Sequence, residues 1–177
     1  MQNKTIKKLT AWDISMINWV IKHRDQRVRK IFRIVTYLGS GYIWTFVYLT
    51  IFALGTDKVK AILISVILAE LLGLLIIIVL RNLIKRERPT TVKTFLLPLP
   101  WHSNSFPSHH ALRVSMLATM FGTAYPAWLP FLIFGAAVVS ISRIYLERHY
   151  PFDVLAGAFI GFLCAWSVLF ITGKIWL

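Results

Sequence analysis

Five apolar blocks run along the chain, near Ile34 to Gly55, Ala61 to Leu80, His109 to Tyr125, Ala127 to Tyr145 and Val154 to Trp176. Crossing a bilayer takes roughly 20 apolar residues at a rise of about 1.5 Å each, and each block approaches that length. The third is the weakest, since Arg113 interrupts it and Pro126 ends it early. The first thirty residues follow another pattern: Trp12, Ile14, Met16, Ile17, Trp19, Val20 and Ile21 are spread among Asp13, Lys22, Arg24 and Asp25. That apolar content is too short to span, and it lacks the uninterrupted core and cleavage site of a signal peptide. It predicts an amphipathic helix lying on the membrane surface. The pattern as a whole predicts an all-α, polytopic transmembrane bundle of about five spans, forming a single domain over residues 1–177 with residues 1–30 as a basic interfacial segment.

Composition agrees with an apolar solvent. Of 177 residues, 57% are hydrophobic and 15% charged, against about a quarter charged in soluble domains. Twenty Lys and Arg against seven acids give a formal charge of +13, which in a soluble protein would point to nucleic acid. Here the basic residues lie between apolar runs, so they read as anchors to anionic headgroups or as a seat for a phosphorylated lipid, and no nucleic-acid partner is expected. Cys164 stands alone in an apolar stretch and reads as a buried, inert thiol. Trp128 and Trp176 fall at block ends, as in an interfacial belt, whereas Trp44 and Trp166 read as packing residues. Gly157 and Gly161 form a small-xxx-small pair that lets helices approach closely.

Five spans make a topological prediction. The end of span two, the start of span three, the end of span four and the start of span five all fall on one membrane face. There the sequence supplies Arg81, Lys85, Arg86 and Arg88, then Ser108, His109 and His110, then Arg143 and Arg148, then His149 and Asp153. Four of the five histidines, His102 included, belong to that face or its long Arg81-to-Ser108 loop. Arginine offers planar, permanently charged forks to phosphate oxygens, and histidine can exchange a proton or attack phosphorus near neutral pH. Ser108 follows Pro107 at a helix start, where its hydroxyl can cap while free N–H groups and the positive dipole end face an anion. His149 and Asp153 are four apart with Pro151 between them, so a helix beginning near Pro151 lets the carboxylate reach back and fix the imidazole tautomer.

Three stretches resemble a known set of signatures. Arg81-Asn-Leu-Ile-Lys-Arg-Glu-Arg88-Pro89, Pro107-Ser108-His109-His110 and Ser142-Arg143-x5-His149-x3-Asp153 are similar to K-x6-R-P, P-S-G-H and S-R-x5-H-x3-D of the type-2 phosphatidate phosphatase superfamily, whose members include integral membrane lipid phosphatases. The third signature matches at every defined position. Arg81 stands where the family has Lys, and His109 where it has Gly. The resemblance covers residues 81–153 and implies a helical bundle and a metal-free, cofactor-free mechanism. His149 would attack phosphorus and form a phosphohistidine, Asp153 would orient its ring, and His110 would protonate the leaving oxygen and later activate water. Arg81, Arg88, Arg143, Ser108 and the His109 amide would hold the phosphate.

Around these positions other residues keep simpler readings. Arg113 shares a helix face with His110 and is a candidate second phosphate contact or a snorkelling charge, and Trp101 and His102 are candidate substrate contacts. Lys85 and Arg86 read as headgroup anchors, Glu147 and Arg148 as solvated loop charges, and Glu70 as an intramembrane acid in need of a partner. The expected substrate is a phosphorylated membrane lipid: lipid A 1-phosphate, undecaprenyl diphosphate, phosphatidylglycerol phosphate or phosphatidate. Two rivals remain, a non-catalytic binder or mover of anionic headgroups and a metal-dependent hydrolase built on His102, His109, His110 and His149. The expected location is a bacterial inner membrane. Sidedness is contested, because seventeen of the twenty basic residues fall on the face with the site. That count argues for a cytoplasmic site, whereas the resemblance argues for an extracytoplasmic one.

Overall fold

The computed structural model describes residues 4–90 and 104–173. Trp101, His102 and Trp176 lie outside the described residues, and so do the readings placed on them. The described residues form seven helices and no strand: α1 (Lys4–His23), α2 (Gln26–Val35), α3 (Gly41–Leu54), α4 (Asp57–Ile84), α5 (His109–Ala124), α6 (Leu129–Tyr145) and α7 (Pro151–Ile171). Short 3₁₀ turns, Thr36–Gly39 and Pro126–Trp128, precede α3 and α6. The all-α bundle expected from the sequence is present. Helix α4, α6 with its leading turn, and α7 are each long and apolar enough to cross a membrane.

Two of the expected spans are built differently from a plain hydrophobic cylinder. The first, expected as one run from Ile34, is a pair of segments, Gln26–Gly39 and Gly41–Leu54, bent by 46°. The break falls where Gly39 meets α5: a Cβ there would lie 2.8 Å from the His110 ring, and its carbonyl accepts from Arg113 Nη1 at 2.8 Å. The third, α5, has only 16 residues. It is shorter and more polar because protein, rather than lipid, surrounds it: Ala111, Leu112 and Met116 are wholly buried, and α4, α6 and α7 pack around it.

Glycine sets the closest of these contacts. A Cβ on Gly157 would lie 2.3 Å from the Ser108 carbonyl oxygen, and one on Gly161 would lie 2.1 Å from that of Leu112. Helix α7 therefore rests on the backbone of α5, and its glycine pair is a helix contact. Below it, Ile62, Val66 and Ala69 of α4, Met116 and Met120 of α5, and Ala165 and Val168 of α7 form the core. Phe46, Phe52, Leu75, Phe131, Phe134 and Phe170 point outward and are exposed, as a lipid-facing surface requires.

Trp44 packs against the core, with its Nε1 donating to Leu38 O at 2.6 Å, and Trp128 is exposed at the head of α6. Trp166, expected to pack, is instead 45% exposed, stacked on Phe162 beside an apolar groove of about 710 Å³ between α5, α6 and α7. The groove wall carries Ser115 and Thr119, but their hydroxyls donate to Ala158 O and Ser115 O, so it presents little unpaired polarity.

Helix α1 docks by one face. Asp13, Ile17 and Val20 are buried against the bundle, whereas Trp12, Ile14, Trp19 and Ile21 point away from it and are exposed. Its contacts are with α6 and α7, at the end where the signature residues gather.

Candidate active site

The four chain segments expected to share one face do so. Helix α4 ends at Lys85, a C-cap residue in the left-handed region at φ 46°, which turns the chain back over the bundle end. Ser105 N then donates to Arg86 O at 2.7 Å, and Asn104 Nδ2 donates to Arg81 O at 2.8 Å, pinning the returning strand of the loop to the end of α4. Ser108 caps α5, its hydroxyl accepting from Ala111 N at 3.5 Å, and its own N–H donates to Asp153 O at 2.9 Å. His109 and His110 thereby occupy the first turn of α5, where unpaired amides and the positive dipole end suit an anion.

His149 sits in the short loop between α6 and α7 and is 2% exposed. Its Nδ1 is 2.7 Å from Ser105 O. A carbonyl only accepts, so Nδ1 carries the proton and Nε2 keeps its lone pair. That Nε2 is 3.4 Å from Arg88 Nη1. Burial, and then the charges of Arg88, Arg143 and Arg81, hold the imidazole well below its ordinary range, so it is neutral at pH 7.

Asp153 was expected to fix the tautomer, but its Oδ2 is 3.8 Å from His149 Nδ1, and the Ser105 carbonyl takes that hydrogen bond. The reason is position: Asp153 is in the first turn of α7, where Oδ2 accepts from Tyr150 N at 2.9 Å while Oδ1 accepts from Arg86 Nη1 at 2.7 Å.

Three arginines surround the ring. Arg81 Nη2 donates to Pro107 O at 3.0 Å, Arg88 Nη1 to Arg148 O at 3.1 Å, and Arg143 Nη1 to Thr36 Oγ1 at 2.7 Å. Arg81 is 4% exposed and Arg143 9%, and the Nε of each is buried without a hydrogen-bond partner. Among the described residues no carboxylate lies within 4.0 Å of either. Buried cations without carboxylates are costly, and an anion drawn into their midst relieves them. His110 is an electrostatic neighbour of both His149 and Arg143.

A family model described as the PAP2 superfamily matches residues 58–176. The chain belongs to the PAP2 superfamily. Among relatives of this PAP2 chain, an undecaprenyl-diphosphatase from Sulfolobus acidocaldarius is 31% identical over 126 residues, 70% of this chain and 60% of that protein. A lipid A 4'-phosphatase from Bacteroides thetaiotaomicron is 34% identical over 105 residues, 54% of this chain and 47% of that protein. The chain thus spans about half to three-fifths of the length of these two relatives. The crystal structure of Aquifex aeolicus LpxE superimposes with a TM-score of 0.72 at 28% identity, covering 88% of this chain and 93% of that one. With its apolar outer surface, the PAP2 chain is an integral, multi-pass membrane protein.

Other charged residues of this PAP2 domain are more engaged than their sequence positions suggest. Arg86, read as a headgroup anchor, bridges Asp153 and Asp13 and lies 4.1 Å over the Tyr150 ring. Burial works against its charge, but the two carboxylates prevail and raise its pKa. Glu147, read as a solvated charge, is 8% exposed; it pairs with Arg24 and accepts from Thr90 Oγ1 at 3.0 Å. Arg113 gives its guanidinium to Glu70 and to Gly39 O, and His109 Nε2 is 3.4 Å from Glu70 Oε1. The charge with which sequence leaves Glu70 unpartnered is therefore met inside the bundle. Ser105 belongs to no signature, and it meets His149 through its backbone carbonyl, which no residue-type signal announces.

Proposed function

We propose that this protein is a membrane phosphatase that releases phosphate from a lipid-linked monoester or diphosphate through a phosphohistidine. The observation that carries the reading is the neutral His149, proton on Nδ1, with its Nε2 lone pair facing the Arg88 guanidinium at 3.4 Å beside the buried Arg81 and Arg143. Nε2 attacks phosphorus, the bond to the leaving oxygen breaks, and His110 gives that oxygen a proton. Water then attacks the phosphohistidine, His110 takes the water's proton, and phosphate departs. Arg81, Arg88, Arg143, Ser108 and the His109 amide hold the equatorial oxygens as charge spreads over them. Asp153 stabilises the positive charge that the imidazole acquires. Neither step calls on a metal.

The groove between α5, α6 and α7 runs from Val154 and Leu155, beside Asp153, toward Trp166, and suits the apolar chain of a lipid. A strongly anionic headgroup, a diphosphate or a lipid A phosphate, suits the surplus of arginines better than a simple monoester. The site is read as extracytoplasmic; labelling Lys85→Cys, in a chain with Cys164→Ser, by an impermeant thiol reagent on intact cells tests it, and protection from the reagent refutes it.

The deciding experiment incubates the purified protein with undecaprenyl diphosphate, lipid A, phosphatidylglycerol phosphate and phosphatidate in EDTA and measures released phosphate. Release from at least one, abolished in a folded His149→Ala variant, is expected, together with acid-labile label on the wild-type chain after quenching with ³²P-lipid. Undiminished release by His149→Ala would refute the mechanism. Activity that vanishes in EDTA and returns with a divalent ion would favour the metal-dependent rival.

A further inference from the structure

Asp13 is a carboxylate on the amphipathic N-terminal helix, outside the residues the family model matches, and it is 1% exposed. A buried acid needs a counter-charge and hydrogen-bond donors, and Asp13 has both. Its Oδ2 accepts from Arg86 Nη2 at 2.6 Å, and its Oδ1 accepts from Phe152 N, in the first turn of α7, at 3.0 Å. The same guanidinium donates from Nη1 to Asp153 Oδ1 at 2.7 Å. One arginine fork thus joins two buried carboxylates, one from α1 and one from the catalytic end of α7. Arg86 occupies an open position of the first signature, between Arg81 and Arg88.

The backbone of Arg86 leads to the same place by a second route. Its carbonyl accepts from Ser105 N at 2.7 Å, and the Ser105 carbonyl accepts from His149 Nδ1 at 2.7 Å. Side chain and main chain of one residue therefore fix, respectively, the carboxylate beside the imidazole and the acceptor that sets its tautomer. Resting on the phosphatase reading above, we propose that Asp13 and Arg86 are positioning residues: Asp13 aims the Arg86 fork, which places Asp153 and Ser105 and through them the attacking nitrogen of His149. The interfacial helix is thereby part of the catalytic assembly and not only an anchor.

Neither residue touches substrate in this scheme, so their loss lowers turnover and spares binding. The test uses the full chain in detergent or lipid nanodiscs with the best lipid substrate from the panel. Arg86→Gln is expected to lower kcat about 100-fold and Asp13→Asn about 10-fold, with KM within about twofold of wild type, since sub-ångström placement of a nucleophile is worth that much. Because Asp13 acts through Arg86, the double variant should be no slower than Arg86→Gln alone. Arg86→Lys, which keeps the charge without the fork, serves if the glutamine variant does not fold: its kcat should fall with the thermal midpoint held.

Wild-type kcat in folded Asp13→Asn, a loss that appears in KM, or additive effects in the double variant would each overturn the positioning role. His149→Ala, run alongside, separates the layers: activity retained there would overturn the phosphohistidine reading and this proposal with it. A dead His149→Ala beside a fully active Asp13→Asn would sink the positioning role alone.

Discussion

Two kinds of arginine share the end of the bundle where the signature residues gather. Arg113 and Arg86 are each bound to carboxylates, Glu70 for the first and Asp13 with Asp153 for the second. Arg81 and Arg143 are as deeply buried as Arg113 and more so than Arg86, yet their contacts are to Pro107 O and Thr36 Oγ1, and each leaves Nε unpaired. The chemistry of the side chain is the same in both sets, so the difference lies in what the fold brings to it. Arginines given a carboxylate inside the protein tie helices together, and those without one leave a positive charge that an anion would relieve, the role proposed for Arg81 and Arg143.

The carboxylate-paired arginines should show the largest effect on stability. Glu70→Ala leaves Arg113 charged and buried without its carboxylate, and about 3–5 kcal/mol of stability should be lost, read as a fall in the thermal midpoint in detergent. Adding Arg113→Leu should recover most of it; a Glu70→Ala protein as stable as wild type would show that the pair does not hold α4 to α5. On the unpaired side the prediction is reversed. Arg143→Gln should cost about 10²–10³-fold in turnover, as removal of a single oxyanion donor does, with the midpoint unchanged or raised because a like charge has left the pocket. A smaller effect sharpens the same contrast. Orthovanadate or phosphate at 100 times its dissociation constant should stabilise the wild type by about 2.7 kcal/mol, and should do little for Arg143→Gln.

The smallest effect is in pH. The folded His149 holds its proton less tightly than the unfolded chain does, by burial and by Arg88, Arg143 and Arg81. The unfolded state therefore binds the proton first, so this contribution to stability is complete above about pH 6.5 and is lost as pH falls through the folded value. His149→Asn should flatten that part of the stability curve, and the acid limb of kcat/KM in the wild type should lie below pH 6.5. A limb above that value would mean that another group limits the acid side.

Much of the candidate site was legible because its residues sit at helix ends at fixed spacings. His149 and Asp153 flank the start of α7, Ser108 to His110 begin α5, and Arg81 and Arg143 close α4 and α6, so counting spans was enough to bring them to one face. Side-chain partners far apart in the chain, such as Asp13 and Arg86 at a separation of 73 residues, were not legible. Asp13 looked like one polar residue among the apolar positions of a surface helix, and Arg86 like another headgroup charge; only docking of α1 against α7 joined them at Asp153. The tautomer of His149 was assigned to the wrong acceptor for a related reason. Sequence spacing brings forward side chains, whereas the acceptor is a main-chain carbonyl delivered by a loop that folds back on Arg86.

By itself, then, the sequence determined the solvent of this protein, its helical class and the residue types available to phosphate, because block hydrophobicity and local spacing are properties of the chain that survive any packing. Tertiary structure alone decided which charges cancel and which stay open, which span is shielded from lipid, and which ring nitrogen of His149 carries the proton. Those depend on Coulomb and hydrogen-bonding terms that act over a few ångströms between groups far apart in the chain, and such distances exist only once the helices have packed.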